Sequence, residues 1–282
     1  MDVAGRQPGQ DLVQGIAQEG PGGGGIEALG EGVRQLGEEG RDLGHGGGHR
    51  VHPVPKSQEK FGRLGGKARA TGDIFRAGVS RFRILPPSFY GRPAEAVARD
   101  LVGRYLVREL DGERLVLRLV ETEAYLGGPD RASHAWAGRR TPRNESLYLS
   151  GGHAYVYFIY GMHYCLNAVT GAADVGSAVL LRAGEPVAGE ERMGENRGWT
   201  RKPRPGDLAG GPGKVCHALA IGRELDGVPL NRPPLYVTQG EPVPVEEIVA
   251  SPRIGVDYAG EAALWPLRFS VRGNPHVSRP RP

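Results

Sequence analysis

Cysteine is nearly missing from this chain: Cys165 and Cys216 are its only two among 282 residues. They form no Cys-x-x-Cys pair and no metal-ligating spacing, which excludes a disulfide scaffold and a thiolate metal centre. They read as reduced thiols in an intracellular protein, and no metal or cofactor is implied. Long apolar runs are missing too; none approaches the ~18 residues that a membrane-crossing helix needs. The N-terminus lacks a basic segment followed by an apolar one, the mark of a secretory signal. Neither sign of charge dominates, and the net +4 permits a polyanionic partner without demanding one. Aromatic residues make up only 7% of the chain, and residues 1–80 hold just Phe61 and Phe75.

Those first 80 residues carry 21 of the 46 glycines, and their ten basic and ten acidic residues cancel. So little apolar surface cannot offset the entropy of ordering it, which predicts a disordered, low-complexity tail. A domain is expected over residues 81–282. Pro93–Leu101 has helical spacing behind a helix-starting proline. Leu115–Val120 reads as a strand running on into Glu121–Tyr125, and Leu126–Arg143 as a loop that gives way to a helical turn after Thr141-Pro142-Arg143-Asn144. Ala178–Arg182, Leu235–Thr238, Arg253–Val256 and Leu267–Val271 read as further strands, and the Gly-rich Gly210–Gly213 as a lead into a helix. Without regular strand–helix alternation, the expected class is α+β: one mixed domain with a curved antiparallel sheet, short helices and a protruding aromatic hairpin.

That hairpin is where the aromatics collect. Ala154–Tyr164 contains Tyr155, Tyr157, Phe158, Tyr160 and Tyr164, interrupted by the turn signal Tyr160-Gly161. A two-residue turn there pairs Ile159 with Met162 and Tyr157 with Tyr164, and places Tyr160 at the tip, outside any core. Upstream lie two carboxylates, Glu121 and Glu123. On a straight strand both follow Leu117 and Leu119 on one face, at the mouth of the core, where burial raises a carboxyl pKa. Either could be a general base or half of an ion pair. His134 stands in an Arg-flanked loop. Arg182 ends the apolar run Val179-Leu180-Leu181, where a charge needs a partner: a structural ion pair, or a phosphate or base-edge contact. Arg139, Arg140 and Arg143 form a basic cluster, and Lys214 follows a loop that could cradle an anion. Two glutamates on one face of one strand cannot flank a glycosidic bond from opposite sides, which argues against a carbohydrate hydrolase. Binding of distorted nucleic acid without hydrolysis is the other alternative.

Taken together, Glu121–Tyr125, His134, Thr141–Asn144, Tyr155–Asn167, Val179–Ala183, Gly211–Ile221 and Pro266–Ser278 resemble the alkyladenine (3-methyladenine) DNA glycosylase family, in family order. The resemblance implies a monofunctional, monomeric repair enzyme. It would flip damaged purines from double-stranded DNA, hydrolyse the N-glycosidic bond and leave an uncut abasic site. It implies Glu123 as the catalytic base and Arg182 as the arginine that helps hold the water. Tyr125, His134 and Tyr157 would sandwich the extruded base, and Asn167 would clash with the 2-amino group of guanine. Tyr160 would fill the vacated stack with Met162 beside it, and Arg139, Arg143 and Lys214 would face the DNA backbone. His163 and Trp136 depart from the family pattern.

Overall fold

The computed structural model describes residues 83–282; the expected tail lies outside them. The chain enters through two short helices, α1 (Pro87–Tyr90) and α2 (Ala94–Leu101). It then builds nine strands: β1 (Tyr105–Leu110), β2 (Glu113–Tyr125), β3 (Ala154–Ile159), β4 (His163–Thr170), β5 (Ser177–Ala188), β6 (Asn231–Arg232), β7 (Leu235–Thr238), β8 (Ile248–Ser251) and β9 (Arg268–Val271). Two helices, α3 (Glu190–Asn196) and α4 (Pro212–Ala218), interrupt them. Every pairing is antiparallel, in the order β3-β4-β5-β2-β1-β7-β6, with β9 joining β2 and β8 to one side. The α+β class is thus as expected.

β2 is the axis of this sheet. Its first half pairs with β1, its second half with β9, and nearly its whole length with β5. A strand flanked on both sides is buried, and Glu121 through Ala124 are. The α2 helix covers one face. Ala94, Val97, Ala98 and Leu101 recur on its inner side and join Leu117, Leu119, Leu166, Leu181 and Phe269 in the main core. Each such leucine stabilises the fold by roughly 1.5–3 kcal/mol through burial.

The straight-strand expectation for β2 fails at two bulges. Leu119 pairs with Gly184 and Glu121 with Ala183, so Val120 is an extra residue; Thr122 then pairs with Leu181, so Arg182 is an extra residue on β5. The first bulge changes the strand's phase. Leu115, Leu117 and Leu119 before it, and Val120 and Ala124 after it, enter one core, and the Thr122 hydroxyl bonds the Ala98 carbonyl of α2 at 2.8 Å. Glu121, Glu123 and Tyr125 therefore face away from α2, not along the face of Leu117 and Leu119.

Two other expectations need correction. Arg253–Val256 is a loop, and the strand in that region is β8. The hairpin turn is at Tyr160-Gly161, both at positive φ (55° and 68°), and closes with a 3.2 Å bond from Met162 N–H to the Ile159 carbonyl. Met162, however, is an additional loop residue: Ile159 pairs with His163, Phe158 with Tyr164 and Tyr157 with Cys165. The register is one residue off the expected one, and Tyr157 shares its face with Tyr155, Cys165 and Asn167 rather than with Met162 and Tyr164.

Candidate active site

The antiparallel flanks of β2 bring β5 and β9 arginines beside its two carboxylates. Glu121 is saturated. Arg268 Nε reaches its Oε1 at 2.6 Å, Arg182 Nε at 3.0 Å and the Ser278 hydroxyl at 2.9 Å, while the Ser278 backbone N–H donates to Oε2 at 2.8 Å. Glu123 is equally buried and differently held. It accepts from the Ile254 N–H at 2.9 Å and the Tyr125 hydroxyl at 3.0 Å, with Arg182 Nη1 at 3.4 Å. All three neighbours donate, the arrangement that suits a carboxylate. Burial pushes the Glu123 pKa above the ordinary carboxylate range, while Arg182, the Ile254 N–H and the Tyr125 hydroxyl pull against it and Glu121 adds to it. Tyr125 is itself held well above the ordinary phenol value by burial and by Glu123, so it remains a donor.

In front of Glu123 opens a cavity of about 280 Å³, at the small end of the range for small-molecule sites. Tyr125, Arg182 and Ile254 line it, and each of the three donates a hydrogen bond to the Glu123 carboxylate. Its walls are flat rings. His134 meets Tyr157 edge-on at 4.6 Å between centroids, and Tyr157 lies 5.4 Å from Tyr155. His134 Nδ1 is 2.8 Å from the Tyr155 hydroxyl. Burial, followed by the nearby Arg143 and Arg139 cations, lowers the His134 pKa, which keeps its imidazole neutral near pH 7. Asn167 lies in the cavity wall and donates to the Tyr155 carbonyl at 3.1 Å. Tyr160 reaches the rim and is 77% exposed, with Met162 63% exposed beside it.

The structure thus gathers Glu123, Arg182, Tyr125, His134, Tyr157, Asn167 and Tyr160 around one opening. Met162 is beside it on the hairpin tip. Arg139 and Arg143 line an adjoining cavity, and Arg143 is tied to the hairpin through the Phe158 carbonyl at 2.5 Å. Lys214 lines neither cavity; its ammonium bonds the Gly206 carbonyl at 3.1 Å, although Pro212 and Gly213 of the same loop do line the first. Among the described residues no three His, Cys, Asp or Glu side chains converge in a metal-binding group.

Sequence reasoning missed several supports. Tyr155 is given no role by the sequence beyond its place in the hairpin, and it proves to be the partner of His134. Asp130 and Arg253 form a buried ion pair at 2.5 and 2.9 Å that puts the guanidinium 4.8 Å from the Tyr125 ring centre, fixing that wall. Asn144 ties the loop together: its amide donates to the His134 and Arg139 carbonyls at 3.0 and 2.9 Å. The only local signal was its place after Thr141-Pro142-Arg143.

Residues 88–275 match the family model described as methylpurine-DNA glycosylase. A protein of Methanocella arvoryzae, provisionally named a 3-methyladenine DNA glycosylase, is 51% identical over 200 residues, 71% of this chain and 98% of its own. Relatives with the same name in Myxococcus xanthus and Natranaerobius thermophilus are 48% and 43% identical, over 70% and 69% of this chain and 95% and 98% of theirs.

Proposed function

The chain belongs to the methylpurine-DNA glycosylase family, and from that premise we propose that residues 81–282 act as a monomeric, monofunctional glycosylase on damaged purines extruded from duplex DNA. As a family member it is a DNA glycosylase of base-excision repair, and alkylated bases in DNA are its substrate class. The single observation that carries the finer reading is the pairing of a buried, donor-surrounded Glu123 with an aromatic cavity whose rim is an exposed tyrosine.

The mechanism follows from physical needs. A base inside a duplex cannot be reached, so it is swung out, at a cost on the order of a few kcal/mol. Stacking between Tyr125, Tyr157 and His134 returns ~1–3 kcal/mol per base. Tyr160 takes the vacated place in the stack, with Met162 against the neighbouring pair. Its largely exposed ring, at a left-handed turn position, has little packing to lose in the free protein. The Glu123 carboxylate takes a proton from a water directed at C1′, and its charge supports the oxocarbenium-like transition state. Of its three donors Arg182 sits farthest, and it is the one that shifts to share that water. Asn167, pinned to the Tyr155 carbonyl, narrows the slot against the 2-amino group of guanine. Damaged purines pair weakly or carry positive charge, so they are easier to extrude and to expel. Among the described residues no lysine lines the cavity, so none is placed there to form a Schiff base with the opened sugar; the product is an abasic site in an intact strand. The work is done where the genome is, inside the cell.

A panel of duplexes, each with one alkylated or deaminated purine, tests this. The expected products are the free purine and a strand that breaks only on alkali treatment. A nick without alkali would overturn the monofunctional assignment, and no release from any duplex would overturn the reading as a whole.

A further inference from the structure

One ring of the base cavity already has a cation against it. The Arg253 guanidinium lies over the Tyr125 ring, 4.8 Å from its centre. Tyr125 lines the cavity; Arg253 does not, and its side chain is fully buried. A ring placed this way offers the cavity only the surface that the guanidinium leaves free. The guanidinium cannot slide off. Its Nη atoms donate to both Asp130 oxygens at 2.5 and 2.9 Å, to the Ala124 carbonyl at 2.9 Å and to the Ala262 carbonyl at 3.0 Å. Asp130 is held in turn by the Leu126 and Ala132 N–H groups, both at 3.0 Å. A buried ion pair adds little stability over apolar residues of the same volume. What this pair does supply is a cation pinned to a ring that would stack the guest.

The other groups around the cavity do not make up for this. Among the described residues no carboxylate lines it, whereas Arg182 does. The Glu121 and Glu123 charges are matched by Arg182 and Arg268. His134 is neutral, with the Arg143 and Arg139 cations near it. The Tyr157 hydroxyl is held well above the ordinary phenol value, chiefly by burial, so that wall is uncharged too. An aromatic ring attracts a cation through the negative charge of its π face, and a cation already drawing on that charge leaves less for a second. Stacking of a neutral purine rests on buried area and dispersion, which the guanidinium leaves intact.

We propose that Arg253, acting through the Tyr125 ring, makes this cavity selective for uncharged damaged purines over cationic ones. Deaminated purines and neutral alkyl adducts are its preferred guests. Purines that carry the positive charge of a ring-nitrogen methyl are held more weakly, and their readiness to leave the sugar offsets the weaker hold. The inference rests on the glycosylase reading above and names the charge class of its substrate. Arg253 is here a positioning residue: it touches Tyr125, not the guest.

Two lesions of one outline and different charge test this: 3-methyladenine, a cation in DNA, and 3-methyl-3-deazaadenine, which is neutral. Each nucleotide carries a 2′-fluorine, which slows loss of the base, and faces an abasic site, so that no base pair has to be broken. Affinities are measured with the full wild-type chain, which keeps the Glu123 charge in place. The neutral lesion should bind roughly three- to tenfold more tightly; tighter binding of the cation overturns the proposal. Arg253→Met/Asp130→Asn removes the pair without stranding a buried charge, and the preference for the neutral lesion should largely vanish. Arg253→Lys keeps a cation at the ring and should retain it. A folded double variant with the wild-type preference overturns the proposal; if that variant does not fold, the wild-type comparison decides alone. Undamaged adenine opposite an abasic site separates the two readings. Should neither lesion bind more tightly than adenine, the base cavity itself fails and this selectivity with it, whereas a preference for the cation removes the selectivity and leaves the cavity standing.

Discussion

Two carboxylates two residues apart on β2 sit in opposite surroundings. Around Glu121 the fold is closed: four donors from three residues, two of them arginines, with Ser278 brought in from the far end of the chain. Around Glu123 one arginine stands at the longer distance of 3.4 Å, and a cavity begins just past its donors. Both glutamates are 0% exposed, so burial does not separate them. What separates them is whether the hydrogen-bond partners are complete and where the open space lies. The bulges at Val120 and Arg182 produce the difference, because they let a single Arg182 guanidinium touch both groups.

That contrast can be broken by experiment, and the largest effect is expected on the closed side. Glu121→Gln leaves Arg182 and Arg268 without a full counter-charge in the interior, and breaking such a network costs about 3–5 kcal/mol. Urea unfolding should register it, with activity falling only as the folded fraction falls; an unchanged midpoint would mean that Glu121 is not structural. On the open side, Tyr160→Ala should leave the urea midpoint unchanged, since the ring is 77% exposed. Excision from duplex should fall roughly tenfold, in line with ~1–3 kcal/mol of stacking, while excision from single strands stays level. Equal losses on both substrates would remove the wedge. A milder cut on the closed side, Ser278→Ala, removes the hydroxyl's bond to Glu121 and the one it accepts from Arg182 Nε, and should cost ~1.5 kcal/mol of stability.

The smallest effect concerns pH. Burial raises the Glu123 pKa, so the native state holds that proton more tightly than the unfolded chain does. The contribution from Glu123 is then most favourable below the unfolded carboxylate value of ~4.3 and declines as pH rises toward the elevated native one. Glu123→Gln lacks this decline and should be no less stable than the wild type at pH 7. The acid limb of wild-type excision should lie above the ordinary glutamate range. A limb at or below that range would contradict the environment described for Glu123.

Much of this site was legible locally. The Tyr160-Gly161 turn, the helix near Pro93–Leu101 and the strand leading to Glu123 each carry their signal within a few residues. What was hidden depends on irregularity or distance. An extra residue at Met162 shifts the hairpin register, and one at Val120 changes which face the glutamates occupy; periodicity presumes neither. The Asp130–Arg253 pair and the Ser278–Glu121 bonds span more than a hundred residues and leave no pattern in sequence. Tyr155 was concealed by its own chemistry, since a ring that packs in the core and one that braces a histidine look alike in a β-strand.

Single-turnover excision by Glu123→Gln, on a duplex with one alkylated purine, tests the account most directly. Loss of a positioned base predicts a rate ~10²–10⁴-fold lower, from a protein that still folds and still prefers the damaged duplex. A rate within a few-fold of the wild type would contradict the account, and would do so most sharply if folded Glu121→Gln proved to be the inactive variant.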